Sequence, residues 1–333
     1  MSMAELPQPL RRDFLRCTLL TSIGMTLPIP ALSYSGRRGK MRIGMISDVH
    51  QDVMHDATDR LRAFINAMQS EKPDLIFQLG DFCQPIERNK PFMEVWNSYS
   101  GPRYHVLGNH DMDGGFKREQ TVAWYGMTSR FYAFEQFGVK FIVLDGNDPE
   151  SSKGGYHRFI AKDQQDWLEK ELDATALPVI VMIHQPLDLP GGITNQKEIR
   201  TLLEKDRGTE KIGVVAVFSG HLHQDSVNCI HGIPYVQINS SSYVWLPATA
   251  RREVYEKSIH QSHPNLAQVA PYREPLWAMV TLDFDAGQMV IEGRKTDWVG
   301  PDPWQRGLDE KQYPRAVTKP QISPWSGSIT SHA

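Results

Sequence analysis

The clearest early signal of the fold is the stretch Arg42-Ile43-Gly44-Met45-Ile46-Ser47-Asp48-Val49-His50. Its apolar part has the length of a buried strand, and it stops at an aspartate and a histidine. A second apolar run, residues 214–219, is followed by Gly220-His221-Leu222-His223. Ligands bind at the carboxyl ends of strands in open α/β sheets. Both stretches therefore place polar side chains where such a sheet forms a site.

Five short motifs of this kind occur in order along the chain. Each alone is typical of a turn, but nearly every one follows an apolar run, and the spacing leaves room for a crossover helix between neighbours. Together they supply the aspartates, the asparagine and the histidines that a pair of divalent metals needs. The motifs are Asp48-Val49-His50, Gly80-Asp81, Gly108-Asn109-His110-Asp111, His184 and Gly220-His221-Leu222-His223.

The residue types explain what such a metal pair would do. Two cations about 3.5 to 4 Å apart can clamp a phosphate and acidify a water that lies between them. A bridging ligand needs two anionic oxygens, so the carboxylate of Asp81 suits that position. The neutral amide of Asn109 can bind through its carbonyl without adding charge that would repel a phosphate. Mixed nitrogen and oxygen ligands favour manganese, iron or zinc over magnesium or calcium.

Residues from about Met41 to Ser242 resemble the calcineurin-like metallophosphoesterases. The resemblance rests on the five motifs and on Gln164-Gln165-Asp166-Trp167-Leu168, which is similar to a Gln-x-x-Trp-Leu helix of that family. It implies an α/β fold in which a two-sheet β-sandwich is flanked by helices. It also implies that His110 stays off the metals beside the phosphate and that Asp111 orients it. The implied metal ligands are Asp48, His50 and His223 for the first ion, Asn109, His184 and His221 for the second, and Asp81 as the bridge.

The resemblance implies a phosphoester hydrolase in which a hydroxide that bridges two metal ions attacks the substrate. With an aspartate after Asn109-His110, the motif resembles that of the bacterial cyclic-nucleotide phosphodiesterase branch. A nucleotide or other small phosphodiester is therefore the expected substrate. A phosphomonoesterase or pyrophosphatase of the same family remains an alternative. A catalytically silent binding protein is a further one, although such proteins usually lack a ligand and none is missing here.

The N-terminus resembles a twin-arginine export signal. Arg11-Arg12-Asp13-Phe14-Leu15-Arg16 precedes a weakly apolar stretch, and Ala31-Leu32-Ser33 suits signal cleavage. We therefore expect residues 1–33 to be a signal peptide, the export machinery to be a partner, and the mature protein to be periplasmic or secreted. The alternative is an ordinary N-terminal extension. The apolar stretch is short and interrupted by glycine and proline, so no stable membrane anchor is expected.

Composition sets the outer bounds. The chain has 333 residues, 40% of them hydrophobic, and a net charge of -3, which allows one large α/β domain. No basic excess points to a nucleic-acid polymer as partner. Three cysteines give no disulfide framework. We expect a linker at residues 34–40, the metallophosphoesterase domain at 41–299 with a cap-like segment at 243–275, and an extended, proline-rich tail at 300–333.

Apolar runs alternate with helix-period segments through the domain, which favours parallel strands joined by crossover helices. His105 lies in one of these strands and is predicted to pack rather than to bind a metal. Helices are predicted at residues 57–70, 91–99, 162–174 and 195–204. Strands are predicted at 74–79, 104–107, 131–134, 141–144, 179–183 and 214–218, with 235–238, 278–284 and 288–292 closing the second sheet.

Overall fold

The structure is a computed structural model that describes residues 39–150 and 155–329. The expected signal peptide at 1–33 lies outside the described residues, as does all of the expected linker except Gly39 and Lys40. Among the helices in the described ranges, none has the length and apolar character needed to cross a membrane.

The first sheet has six strands, of which the three that precede the first motifs run parallel to one another. The other three extend the sheet in antiparallel pairing. In spatial order the strands are β16 (Trp325–Ser328), β13 (Gln288–Ile291), β12 (Ala278–Asp283), β1 (Lys40–Ile46), β2 (Leu75–Gln78) and β3 (Arg103–His105).

The second sheet also has six strands, and its four central strands are parallel. In spatial order they are β4 (Tyr132–Gln136), β5 (Val139–Val143), β6 (Val179–Met182), β7 (Val214–Ser219), β9 (Ile233–Gln237) and β8 (Ser226–Ile230). Two small pairs complete the strands of the described chain: β10 (Tyr243–Trp245) with β11 (Val269–Pro271), and β14 (Arg294–Lys295) with β15 (Gln321–Ile322).

The main core lies between the two sheets, where Ile43 and Phe77 of the first sheet belong to the same buried cluster as Phe141 and Phe218 of the second. Side chains alternate between the faces of a strand, so each sheet also has an outer apolar face that needs cover. The helices are α1 (Ala57–Glu71), α2 (Lys90–Asn97), α3 (Arg118–Trp124), α4 (Lys162–Asp173), α5 (Gln196–Glu204) and α6 (Lys257–Ser262).

Helices α1 and α2 cover the outer face of the first sheet, where Phe64 and Trp96 pack in one cluster with Ile76. Helices α4 and α5 cover the second sheet through Leu168 and Ile199. The predicted α/β fold, a two-sheet sandwich flanked by helices, is confirmed.

One prediction about the sheets is wrong. The strands predicted at 278–284 and 288–292 do not close the second sheet, because β12 pairs with β1 and β13 pairs with β12 in the first. The strand predicted at 235–238 does lie in the second sheet, beside β7. Alternating apolar residues show that a strand faces the core. Both sheets face the same core, so this pattern does not say which of them a strand joins.

The C-terminal segment, expected to lie extended, adds β16 to the edge of the first sheet. Leu308, Ile322 and Ile329 of this segment are buried. The segment also reaches the loop after β7, where the Asp225 carboxylate accepts hydrogen bonds from the Ser323 N–H at 3.0 Å. The tail thus connects the first sheet to the loop that carries the last motif.

Candidate metal centre

The five motifs meet at one edge of the sandwich. They follow the carboxyl ends of β1, β2, β3, β6 and β7. Within the described ranges, two groups of side chains have ligand atoms close enough together to hold a metal ion, with all atoms of a group within 4.8 Å. The first group is Asp48, His50 and His223, and the second is Asp81, His184 and His221.

The backbone at these positions is unusual. Asp48, His50, Asp81, His221 and His223 all have left-handed φ angles, between 51° and 75°. Such angles cost a non-glycine residue on the order of 1 to 3 kcal/mol and persist only where surrounding contacts hold them. Hydrogen bonds between motifs supply part of that support: the Asp48 N–H donates to the Gly80 carbonyl at 3.1 Å, and the His50 N–H donates to the Asp81 carbonyl at 3.0 Å.

Two motif glycines let the loops approach one another closely. A Cβ at Gly108 would overlap the backbone nitrogen and the carboxylate of Asp81. A Cβ at Gly220 would overlap the side chains of Ser47 and Asp48. Glycine is therefore required where β3 and β7 end, because the ligand loops touch at those points.

In the first group, Nε2 of His223 lies 3.2 Å from Oδ1 of Asp48 and 3.2 Å from Nε2 of His50. The other ring nitrogen of His223 lies 2.6 Å from the Tyr243 carbonyl oxygen. A carbonyl only accepts, so Nδ1 carries the proton. In the neutral ring the Nε2 lone pair is then free, which is the usual state of a metal-binding histidine.

The second group repeats this arrangement. Nε2 of His184 lies 3.1 Å from Oδ2 of Asp81, and Nδ1 of His184 lies 2.7 Å from the Leu79 carbonyl oxygen. Both amide atoms of Asn109 and Nδ1 of His221 are buried without a hydrogen-bond partner. An unpaired buried polar atom costs about 1 to 3 kcal/mol. Bound divalent ions would satisfy the amide oxygen of Asn109 and the ring nitrogen of His221. The residues present therefore fit a metal pair.

The protonation states of these side chains, set by burial and by neighbouring charges, suit cation binding. Burial raises the pKa of Asp48, but its electrostatic interactions with the adjacent imidazoles of His223 and His184 outweigh burial and lower the pKa to about 2. Burial likewise opposes ionisation of Asp81, but His184 and His110 hold its pKa well below the usual value. Burial lowers the pKa of His50 well below its ordinary range. The carboxylates are therefore ionised, and His50 is a neutral imidazole.

His110 lies beside the two groups and belongs to neither. Its backbone N–H donates to Oδ1 of Asp81 at 2.8 Å, and its ring centroid lies 5.1 Å from that of His50. The side chain keeps 24% of its surface exposed. His110 thus lies beside the candidate metal groups and is partly open to solvent.

The expectation that Asp111 orients His110 is wrong. The Asp111 carboxylate accepts hydrogen bonds from the backbone N–H groups of Phe82 at 2.6 Å and Gly108 at 2.8 Å. Nδ1 of His110 instead lies 2.6 Å from Oδ2 of Asp113. A 3₁₀ turn begins at His110, and side chains three residues apart lie on one side of such a turn. This geometry places Asp113 against His110.

Asp113 and Tyr156 were not predicted from the sequence. The Tyr156 hydroxyl donates to Oδ1 of Asp113 at 2.8 Å. For Asp113, the available signal was its i, i+3 spacing from His110. Nothing near Tyr156 in the sequence indicated this contact.

Aromatic residues of the 243–275 segment pack against the site. The Tyr243 ring stacks on His50 with centroids 5.0 Å apart, and the Trp245 ring stacks on His110 at 5.6 Å. His105 lies away from both ligand groups, stacked on Tyr125 at 4.6 Å. Its contacts match the packing role predicted for it.

The family model for calcineurin-like phosphoesterases matches residues 41–225, and the chain belongs to this family. It is a hydrolase that acts on phosphoester bonds, with two candidate metal-binding groups.

Solved structures show the same fold. A dimetal phosphatase from Danio rerio aligns with a TM-score of 0.55 and 16% identity over 78% of this chain and 98% of its own. GAP50, the anchor in the inner membrane complex of Plasmodium, aligns with a TM-score of 0.50 and 14% identity over 79% of this chain and 86% of its own. No curated protein sequence matches the chain.

Proposed function

We propose that the chain is a two-metal phosphodiesterase acting on a nucleotide or other small phosphodiester. The observation that carries this choice is the charge around His50, Asp81 and His110. The cavity that these residues line is also lined by Asp52 and Asp113, and no lysine or arginine is among its described lining residues. Arg88 bonds Asp52 at 3.0 Å and offsets part of the negative charge.

This acidic rim distinguishes between substrates by charge. A phosphodiester carries one negative charge, whereas a phosphomonoester carries about 1.5 to 2 at neutral pH. A rim without lysine or arginine offers no fixed side-chain partner for the second charge, and its carboxylates oppose that charge. The likeness of Asn109-His110-Asp111 to the bacterial cyclic-nucleotide phosphodiesterase branch supports the same choice.

Two observations support the proposed ligand set: the two groups of clustered side chains, and the buried amide of Asn109, which has no hydrogen-bond partner. The chemistry supplied by two bound ions is polarisation of the phosphoryl group and acidification of water. The nitrogen and oxygen donors favour manganese, iron or zinc. We assign Asp48, His50 and His223 to one ion, Asn109, His184 and His221 to the other, and Asp81 to the position between them.

His110 is proposed to give a proton to the leaving oxygen. Burial lowers the pKa of His110, but the charges of Asp81 and Asp113 outweigh it and raise the pKa above the usual value. The proton on Nδ1 is held by Asp113 at 2.6 Å. In the imidazolium form, the proton on Nε2 is then the one available to the substrate.

We also propose that the protein is exported through the twin-arginine pathway and works in the periplasm or outside the cell. Arg11 and Arg12, followed by a weakly apolar stretch, support this proposal. Because that pathway carries folded proteins, it would allow metals to be bound before transport.

A hydrolysis screen tests the proposed function. The mature protein, supplied with manganese, zinc or iron, is offered phosphodiesters, phosphomonoesters and pyrophosphates, and kcat/KM is compared. We expect diesters to be hydrolysed fastest. Faster hydrolysis of monoesters or pyrophosphates would contradict the diester assignment, and two bound metals without hydrolysis of any ester would indicate a silent binding protein.

A further inference from the structure

A second cavity, of about 280 Å³, adjoins the metal centre and has no role in the chemistry described above. Asn109, assigned above as a ligand of the second ion, lines it, so the cavity begins beside the proposed metal site. Met112, Phe116 and Tyr156 form its apolar wall. Its size lies just below the roughly 300 to 1,000 Å³ of pockets for drug-sized ligands, which suits one ring system.

Tyr156 is the most exposed large hydrophobic residue in the described ranges, with 50% of its surface accessible. Its position is nevertheless constrained, because its hydroxyl bonds both Asp113 oxygens, at 2.8 and 3.0 Å, and lies 3.1 Å from Nδ1 of His110. An exposed aromatic ring held in one place beside a catalytic centre is a ready surface for a ligand ring.

The charge of the cavity argues against an anionic occupant. Arg118 is its arginine, but this side chain is paired with Asp145 and Asp148 at 2.9 Å each. Asp113 adds a negative charge to the wall. A second phosphate would meet an already neutralised cation and a carboxylate, whereas a neutral planar group would meet aromatic side chains.

We propose that this cavity receives the organic group of the substrate, and that this group is a planar aromatic ring such as an aryl or nucleoside moiety. The inference rests on the proposed function and deepens it by naming the substrate class. Tyr156 and Phe116 are then specificity-determining residues. The hydrogen bonds from the Tyr156 hydroxyl to Asp113 connect this aromatic wall of the cavity to His110.

The test compares ligands that differ only in the ring. Adenosine 5′-monophosphate is paired with ribose 5-phosphate, and phenyl phosphate with methyl phosphate, as competitors of bis(p-nitrophenyl) phosphate turnover by the metal-loaded protein. Stacking of one base on an aromatic side chain is worth about 1 to 3 kcal/mol. Wild type should therefore bind at least one ring-bearing partner about 5- to 150-fold more tightly.

The variants locate that preference. Tyr156→Ala and Phe116→Ala should each reduce the preference to a small fraction of the wild-type value, while Tyr156→Phe should retain it because the ring remains. Val290→Ala is the matched control, since Val290 is also an exposed hydrophobic residue, at 42%, but lies on β13. Metal content and thermal unfolding of each variant show that it is folded and loaded.

Equal binding of both members of each pair by wild type, or an unchanged preference in Tyr156→Ala and Phe116→Ala, would overturn the inference. Tighter binding of the ring-bearing member in the phenyl pair alone would assign an aryl group to the substrate. Tighter binding of the ring-bearing member in the adenosine pair would assign a nucleoside. Failure of the proposed function looks different: no ester is turned over, and calorimetric titration of the same pairs still reports whether the cavity binds a ring.

Discussion

His110 and Asp113 are joined by a hydrogen bond of 2.6 Å between Nδ1 and Oδ2. The partner of the proposed general acid is therefore the carboxylate three residues later, not the one that directly follows it. This contact identifies two aspartates with different roles.

Asp113→Asn should leave both metals bound and lower kcat by about 10- to 100-fold with poor leaving groups, the range seen when the orienting partner of a metal-bound histidine is removed. Loss of the negative charge should also lower the pKa of His110. Because the acid must be protonated, activity on the alkaline side of the pH profile should then fall at a lower pH than in wild type. An unchanged pH profile would contradict the positioning role.

Asp111→Asn is the matched comparison and should act on stability. Its side chain accepts hydrogen bonds from two backbone N–H groups, and an amide presents a donor to one of them. We expect the free energy of unfolding to fall by about 1 to 3 kcal/mol, measured by denaturant titration. Full stability with a large loss of kcat would show that Asp111 acts in the chemistry.

His110→Asn should discriminate between leaving groups. With a nitrophenyl ester the phenolate leaves without a proton, so the loss of activity should be small. With an alkyl or ribose leaving group the loss should be about 10² to 10⁴-fold, the range of general acid catalysis. Equal losses on both esters, or loss of a metal, would assign His110 another role.

Much of the site could be predicted because its residues lie directly after apolar runs. The period and length of an apolar run locate a strand, and parallel strands bring their carboxyl ends together. The predictions that failed depend either on pairing between distant strands or on the exact geometry of a turn. The sheet joined by β12 is set by pairing with β1, and local alternation does not encode the partner. The role of Asp113 depends on the turn that begins at His110, which the motif alone does not reveal.

The C-terminal segment should contribute to stability through Asp225. This buried carboxylate accepts from the Ser323 N–H and pairs with Lys319 at 3.0 Å. Asp225→Ala should lower the free energy of unfolding by about 1 to 3 kcal/mol. The control Asp166→Ala removes an exposed i,i+4 pair, worth about 0.3 to 0.5 kcal/mol. Equal effects of the two variants would show that the tail contact adds nothing.

Export should depend on the arginine pair. Replacing both Arg11 and Arg12 with Lys keeps the charge, yet the precursor should stay in the cytoplasm, because the export machinery recognises the two arginines. Cell fractionation with an antibody to the mature protein measures this. Mature protein found outside the cytoplasm in the double variant would favour another route or no signal.

Two metal ions are proposed to share one phosphoester-hydrolysing site through Asp81. Elemental analysis of the purified protein and of Asp81→Ala, with ester hydrolysis measured on the same samples, tests this arrangement most directly. His105→Ala serves as the control, because this buried histidine lies outside both ligand groups. We predict two divalent ions per chain in wild type and in His105→Ala, and a loss of both metal and turnover in Asp81→Ala. Two ions per chain in Asp81→Ala would show that Asp81 does not bridge the ions.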